Sequence, residues 1–259
     1  MDKVILITGG SRGIGAAVAR RAARDGYAVA VNYRARADAA QALVAEIEAG
    51  GGRAVAIQAD VAREDDIVDL FDETRAHLGT PTALVNSAGV TLGRQPVPEF
   101  DAGMLHELFA VNVVGTLLCC REAVRRMSTR HGGRGGAIVN LSSLAASTGG
   151  RPYSSHYAAS KGAIDAFTLG LSREAAPDGI RVNAVRPGMT RTDMTEFTTS
   201  DPERARAIAA SIPLQRIAEA DEVAAPILWL LSDEASFITG VCLDVAGGGY
   251  IVGPSAHPA

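Results

Sequence analysis

The sequence predicts an α/β protein built on a doubly wound sheet of seven parallel strands with helices on both faces. Three observations carry that prediction: short runs rich in Val and Ile recur along the chain, longer segments of helical spacing separate them, and several of those segments stop at glycine. The runs are VILIT at 4–8, YAVAVNY at 27–33, RAVAIQAD at 53–60, ALVNSAG at 83–89, GAIVNLSS at 136–143, IRVNAVRPG at 180–188 and VCLDVAGG at 241–248. They are apolar on alternate and intervening positions alike, as strands covered on both faces must be, and parallel pairing requires crossover helices between them. Those helices are read in AAVARRAARDG at 16–26, ADAAQALVAEIEAG at 37–50, REDDIVDLFDETRAHLG at 63–79 and the long stretches near 101–130 and 155–171. No repeat, linker or low-complexity segment divides the chain. At 259 residues and 47% hydrophobic content, one domain over residues 1–259 is expected, with ample material for a core.

Composition narrows the function classes. With 25 Lys plus Arg against 29 Asp plus Glu, the formal charge of −4 gives no general attraction to nucleic acid or anionic lipid. The most basic stretch, REAVRRMSTRHGGRGG at 121–136, is read as a helix ending in cations that suit its negative terminus, followed by a glycine stop; an anion-binding patch is the alternative. Cys119, Cys120 and Cys242 form no CxxC pair, and the five histidines are dispersed, so neither a disulfide framework nor a metal site is expected. The apolar run of MDKVILITGG is too short for a signal sequence or a membrane span, so the expectation is a cytoplasmic protein without membrane or nucleic-acid partners.

TGGSRGIG, residues 8–15, follows the first strand and opens the first helix. Gly9, Gly13 and Gly15 suit a tight turn that backbone shares with a pyrophosphate, while the helix N-terminus offers free N–H groups; an ordinary strand-to-helix loop is the alternative. In a dinucleotide-binding fold an acid near the end of the second strand accepts hydrogen bonds from the ribose 2′-hydroxyl of NAD. Here that strand ends Asn32-Tyr33-Arg34, and the first acid is Asp38. Arg34, with Arg12 in the glycine turn, suits a 2′-phosphate instead, so NADP(H) is preferred over NAD(H). Two solvated surface arginines are the other reading.

Lysine occurs at Lys3 and Lys161 alone, against 23 arginines. Lys161 follows Tyr157 by four residues in SHYAASKGAIDAFTLGL, a helical pattern, so the phenol and the ammonium share a helix face. Lowering a phenol from its usual ~10 by about 3 units takes roughly 4 kcal/mol. A cation at ~4 Å supplies about 1 kcal/mol in bulk water and about 4 kcal/mol at an effective dielectric near 20, so the pair works as an acid/base only when partly desolvated. The alternative is a half-buried tyrosine beside a solvated lysine. Two features favour chemistry: Ser142 and Ser143 close a predicted parallel strand, where ligands bind in open α/β sheets, and Asn112 puts an amide into the apolar run FAVNVVGTLL.

Taken together, TGGSRGIG, NSAG at 86–89, the serine pair, YAASK and RPGMTRT at 186–192 resemble the short-chain dehydrogenase/reductase family over nearly the whole chain, from Thr8 to about Gly248. The resemblance implies a Rossmann-type fold and a catalytic set of Asn112, Ser143, Tyr157 and Lys161. Tyr157 would then be the proton donor or acceptor, Ser143 would position the carbonyl, Lys161 would lower the tyrosine pKa and bind a ribose, and Asn112 would hold a relay water. It assigns to the cofactor Gly9, Ser11, Arg12, Gly13, Ile14, Tyr33, Arg34, Asp60, Val61, Asn86, Ala88, Gly89, Pro187, Gly188, Thr190 and Thr192, together with Tyr157 and Lys161. NSAG departs from the family's NNAG at Ser87. The implied activity is carbonyl–alcohol interconversion on a small molecule, as in ketoacyl-carrier-protein reductases and glucose-1-dehydrogenase-like members. The implied assembly is a homo-oligomer, commonly a tetramer built on the helices near 101–130 and 157–176 and the C-terminal segment. Residues 189–217 have the length and polarity of a helical lid over the substrate. A nucleotide sensor without turnover is the alternative function, and the complete catalytic set counts against it.

Overall fold

Seven strands pair in parallel in the order β3-β2-β1-β4-β5-β6-β7: β1 Lys3–Thr8, β2 Tyr27–Tyr33, β3 Arg53–Gln58, β4 Ala83–Asn86, β5 Gly136–Leu141, β6 Ile180–Pro187 and β7 Cys242–Val245. The computed structural model of the chain describes residues 3–249. Strand order reverses between β1 and β4, where Thr8 stands in register with Asn86, so a crevice opens at the carboxyl ends of these two strands.

The period of two along each strand sorts the core into two layers. Ile5, Ile7, Val29 and Val31 face one cluster, covered by α1 (Gly13–Arg24), α2 (Ala37–Ala49) and α10 (Ala220–Leu231). Val4, Leu6, Ala28 and Ala30 face the other, covered by α3 (Glu64–Leu78), α5 (Thr116–Met127) and α7 (Ser155–Ala175). All seven residues of β2 are buried, which is why Tyr27–Val31 shows no polar alternation and the one polar residue, Asn32, is bonded within the protein.

α3 starts with Glu64, Asp65 and Asp66 and ends with Arg75 and His77, matching the helix dipole. Asp101 caps α4 (Ala102–Phe109) by accepting from Met104 N at 2.9 Å. A π-helical turn, Ala110–Gly115, joins α4 to α5. The continuous stretch Ala102–Met127 is apolar and long enough to cross a membrane by composition alone. In the fold its Leu108, Val111, Cys119, Cys120, Ala123 and Met127 are buried. The remaining helices are α6 (Ala145–Thr148), α8 (Glu196–Thr199) and α9 (Pro202–Ser211).

Several expectations from the sequence sharpen here. β4 ends at Asn86 because the next two amides, of Ser87 and Ala88, donate to Thr8 Oγ1 at 3.1 Å each instead of continuing a ladder. β7 stops at Val245 because Gly247 and Gly248 take positive φ, 61° and 81°. The basic stretch from 121 is a neutralised helix face: Arg121, Arg125 and Arg126 all reach the buried Glu122, and Arg126 also reaches Asp72 at 3.0 Å. Burial pushes the Cys119 and Cys120 thiols up, the latter to about 12, so both are packing groups. No cluster of metal-binding side chains occurs among the described residues.

Candidate active site

The glycine turn is tied down from three strands. Gly9 has φ +60°, and a Cβ there would meet Ala88 Cα at 2.8 Å, so the position accepts no side chain. Gly15 lets α1 rest on the turn, since a Cβ would come within 2.5 Å of Gly9 O. Gly9 N donates to Asn32 Oδ1 at 3.1 Å, and Asn32 Nδ2 donates on to Ala59 O at 3.0 Å, linking the ends of β1, β2 and β3. α1 begins at Gly13 with an extended Arg12 and no side-chain cap, which leaves its first amides open to an anion. Ile14 packs against the first core, and Ser11 is half-buried. Thr192 lies over the turn, its Cβ and Cγ2 at 3.3 Å from where a Gly13 Cβ would stand. The donor set, a tight glycine turn at an uncapped helix start, fits a nucleotide pyrophosphate.

Beyond β2, Arg34 and Arg12 are both exposed. Arg12 Nη1 reaches Asp193 Oδ2 at 3.5 Å, and Arg34 O accepts from Gln58 Nε2 at 3.0 Å. Asp38, the acid nearest the strand end, is taken by Arg36 through two hydrogen bonds of 3.1 Å. Asp60 Oδ1 accepts from Ala62 N at 3.0 Å, which fixes the carboxylate at the end of β3.

Four residues expected at the cofactor turn their side chains elsewhere. Tyr33 is packed in the first core and Val61 in the second. Asn86 shares the face of Leu84, so its amide points at α5: Nδ2 donates to Asn140 Oδ1 at 2.9 Å and contacts Cys120 Sγ at 3.3 Å. Thr190 is buried, with Oγ1 donating to Gly188 O at 3.3 Å and its strand bridge made to Ala218. For Asn86 and Thr190 the polar side chain is spent within the protein, leaving backbone atoms as their means of contact. Ala88 and Gly89 follow on the loop after β4, and Pro187 and Gly188 leave β6, with Pro187 O accepting from Leu144 N at 3.0 Å.

Ser143, Tyr157, Lys161 and Asn112 come together from β5, α7 and the π turn. Ser142 is buried and donates to Lys161 O at 3.2 Å, a bond that joins β5 to α7. Ser143 is the serine whose side chain lies against the Tyr157 phenol, and its Oγ accepts from Ala145 N at 3.2 Å. Lys161 is 5% exposed; its Nζ donates to Leu141 O at 2.8 Å and stands 5.9 Å from the centre of the Tyr157 ring. Asn112 is fully buried: Oδ1 accepts from Val90 N at 2.8 Å, and Nδ2 donates to Val90 O at 2.9 Å and Ser160 Oγ at 3.1 Å. A Cβ on Gly89 would stand 3.4 Å from Asn112 Oδ1 and 3.6 Å from Lys161 Nζ, so amide and ammonium converge on the space this glycine leaves. His156 is excluded by direction, since its ring packs edge-on to Phe100 at 5.3 Å.

The electrostatics differ from the simple picture of lysine lowering tyrosine. Burial pushes the Lys161 ammonium down to about 8, opposed by Asp165 one turn on. Asp165 is itself held by Arg186, whose Nε and Nη2 both lie 2.9 Å from Asp165 Oδ2. Burial raises the Tyr157 phenol above its usual value, and the Ser143 side chain works against that rise. Desolvation is the largest influence on the phenol, and the ammonium is anchored on Leu141 O.

A family model described as Enoyl-(Acyl carrier protein) reductase matches residues 9–250. The uncharacterized oxidoreductase YgfF of Escherichia coli K12 is 47% identical over 245 residues, 95% of this chain and 99% of that protein. The 3-oxoacyl-[acyl-carrier-protein] reductase FabG of Staphylococcus epidermidis is 37% identical over 255 residues, 97% of this chain and all of that protein. Among solved structures, a short chain dehydrogenase from Burkholderia cenocepacia in complex with NADP superposes with a TM-score of 0.88 at 38% identity, covering 96% of this chain and 98% of its own. Matches of this length, on a sheet whose carboxyl edge gathers a glycine turn, a serine and a tyrosine–lysine pair, place the chain in the short-chain dehydrogenase/reductase family, oxidoreductases that interconvert carbonyl and alcohol groups with a nicotinamide cofactor.

Proposed function

We propose that this protein is an NADP(H)-dependent carbonyl reductase or alcohol dehydrogenase in which Tyr157 exchanges the proton. The observation that carries this reading is the Ser143 side chain set against the Tyr157 phenol, beside the buried Lys161 whose Nζ stands 5.9 Å from the phenol ring centre. Two hydroxyls held together at the carboxyl edge of a parallel sheet can both bond one carbonyl oxygen, Tyr157 giving its proton and Ser143 fixing the direction of approach. Lys161 supplies positive charge to the pocket and can donate to ribose hydroxyls when released from Leu141 O. Asn112 holds the loop after β4 through Val90 and faces the same gap as Lys161. When bound, the nicotinamide supplies or accepts the hydride.

The preference for NADP(H) rests on Arg12 and Arg34, both exposed beside the turn, and on Asp38 being paired with Arg36. The segment 189–217, with a 3₁₀ turn at Asp193–Thr195 followed by α8 and α9, is read as a lid, supported by the Thr192 contact over Gly13. A homo-oligomer, in keeping with a tetramer, is supported by Phe109, Val114 and Leu169, apolar side chains left exposed on the two long helical stretches. Residues 250–259 of the C-terminal segment lie outside the described residues. A panel of aldehydes, ketones, sugars and β-ketoacyl thioesters, assayed with NADPH and NADH in parallel, tests the proposal: turnover with NADPH preferred supports it, and binding of NADPH with no turnover across the panel overturns it.

A further inference from the structure

Two arginines 57 positions apart in the sequence, Arg94 and Arg151, lie on the two loops that flank this site, one following Val90, which is bonded to Asn112, and the other following Gly150, which lies against Ala145 and Ala158. One loop leaves β4 past Gly89 and Val90, the residues that line Asn112 and Lys161; the other runs from α6 into the first turn of α7, with Ser154 N bonded to Arg151 O at 3.0 Å and Ala158 N to Ser154 O at 3.0 Å. The loops are stitched together by Gln95 N donating to Tyr153 O at 2.8 Å. Both are strained. Of the three non-glycine residues with positive φ among the described residues, Leu92 at 51° and Tyr153 at 67° lie here, on the same loops as Gly93, Gly149 and Gly150 with φ of 79° to 81°. Backbone held in this region costs on the order of 1–3 kcal/mol per residue and persists where the surroundings demand it, commonly at ligand sites.

The charge is as unusual as the backbone. Among the described residues neither Arg94 nor Arg151 has an ion pair, although the acidic side chains outnumber the basic ones and most arginines of this chain are paired. Both side chains reach solvent, and the Gln95–Tyr153 bond holds their loops together; partial desolvation and then Arg94 lower the Arg151 guanidinium below its usual value, as two neighbouring cations would. Gln95 Oε1, between them in the chain and the loop contact, is buried without a hydrogen-bond partner. Like charges held together without an acid call for an external anion, and paired guanidiniums bind carboxylate and phosphate through parallel N–H donors.

We propose that Arg94 and Arg151 form an anion-binding subsite beside the catalytic hydroxyls, and that the substrate is a carbonyl compound carrying a carboxylate or phosphate group. This rests on the oxidoreductase reading and narrows its substrate class. The sequence hides the pair because its members lie on different loops.

The test compares matched compounds that differ in one charge: α-, β- and γ-oxo acids against their methyl esters, and the acetoacetyl thioester of phosphopantetheine against that of pantetheine. The full chain with NADPH is expected to favour the charged member of at least one pair by about tenfold in kcat/KM, mainly through KM, and the pair that discriminates tells a free oxo acid from a carrier-bound thioester. In Arg94→Ala/Arg151→Ala that ratio falls toward one, while Arg94→Lys/Arg151→Lys keeps part of it. A wild-type ratio near one in every pair, or a ratio unchanged in the double alanine variant, overturns the proposal. Turnover of uncharged members with no charge preference leaves the reductase reading standing and sinks the subsite. If nothing is turned over, the reductase reading fails, and calorimetric titration of the NADP⁺-saturated protein with acetoacetate decides the subsite: heat that disappears in the double alanine variant supports it, and no heat in the wild type overturns it.

Discussion

Replacing Lys161 with methionine removes a buried charge while keeping an unbranched side chain one atom shorter, and its effect on stability depends on pH in a way the structure fixes. Burial holds the ammonium at about 8, against 10.5 for the free group. That difference is worth about 3 kcal/mol at ~1.4 kcal/mol per pH unit. Below the native value both the folded and the unfolded chain carry the proton, and the folded state bears the full desolvation cost. As the pH rises through about 8 toward 10.5, the unfolded chain binds a proton that the native one lacks, so wild-type stability rises. Lys161→Met has no such group. Wild-type minus variant stability is therefore expected to increase by about 2 kcal/mol between about pH 7 and about pH 9.5. Losing the bond to Leu141 O shifts both ends alike and drops out of the comparison. Urea unfolding followed by circular dichroism at the two pH values measures it. A difference that stays flat over that interval means Lys161 titrates as a solvated lysine, and the desolvated pair on which the site depends is absent.

Three further outcomes are expected. Ser143→Ala lowers kcat by about 100-fold, whereas Ser142→Ala changes kcat little and costs about 1 kcal/mol of stability for its lost bond to Lys161 O; steady-state rates and urea midpoints separate them. Asn32→Ala orphans Gly9 N and Ala59 O, so the protein loses about 1–3 kcal/mol in urea unfolding and binds NADPH more weakly by fluorescence titration. Arg34→Ala reduces the ratio of kcat/KM for NADPH over NADH by about tenfold, and an unchanged ratio would remove Arg34 from the 2′-phosphate.

How the sequence encodes this site depends on whether a residue acts locally or through a distant partner. Strand carboxyl ends, the glycine turn and the tyrosine–lysine spacing are local patterns, and each lies where its spacing implied. The direction of the Asn86 side chain is legible in ALVN, where the alternation that sends Leu84 toward α5 sends Asn86 the same way. Thr8 and Asn32 looked like ordinary strand ends, since their partners at Ser87, Ala88 and Ala59 are remote in sequence. Asn112 stands out as a polar interruption, but the π turn that turns its amide onto Val90 leaves no signature in an apolar run. The anchor of Lys161 is a backbone carbonyl, Leu141 O, and no side-chain pattern marks it.

Catalysis at this site depends on the Tyr157 hydroxyl moving the proton. Tyr157→Phe keeps the ring and its packing and removes only the oxygen, so steady-state turnover and NADPH affinity measured on the same preparation isolate that step. A loss of at least about 1,000-fold in kcat is expected, with NADPH binding within about threefold of wild type. A variant that retains more than about a tenth of the wild-type rate on a good substrate contradicts it.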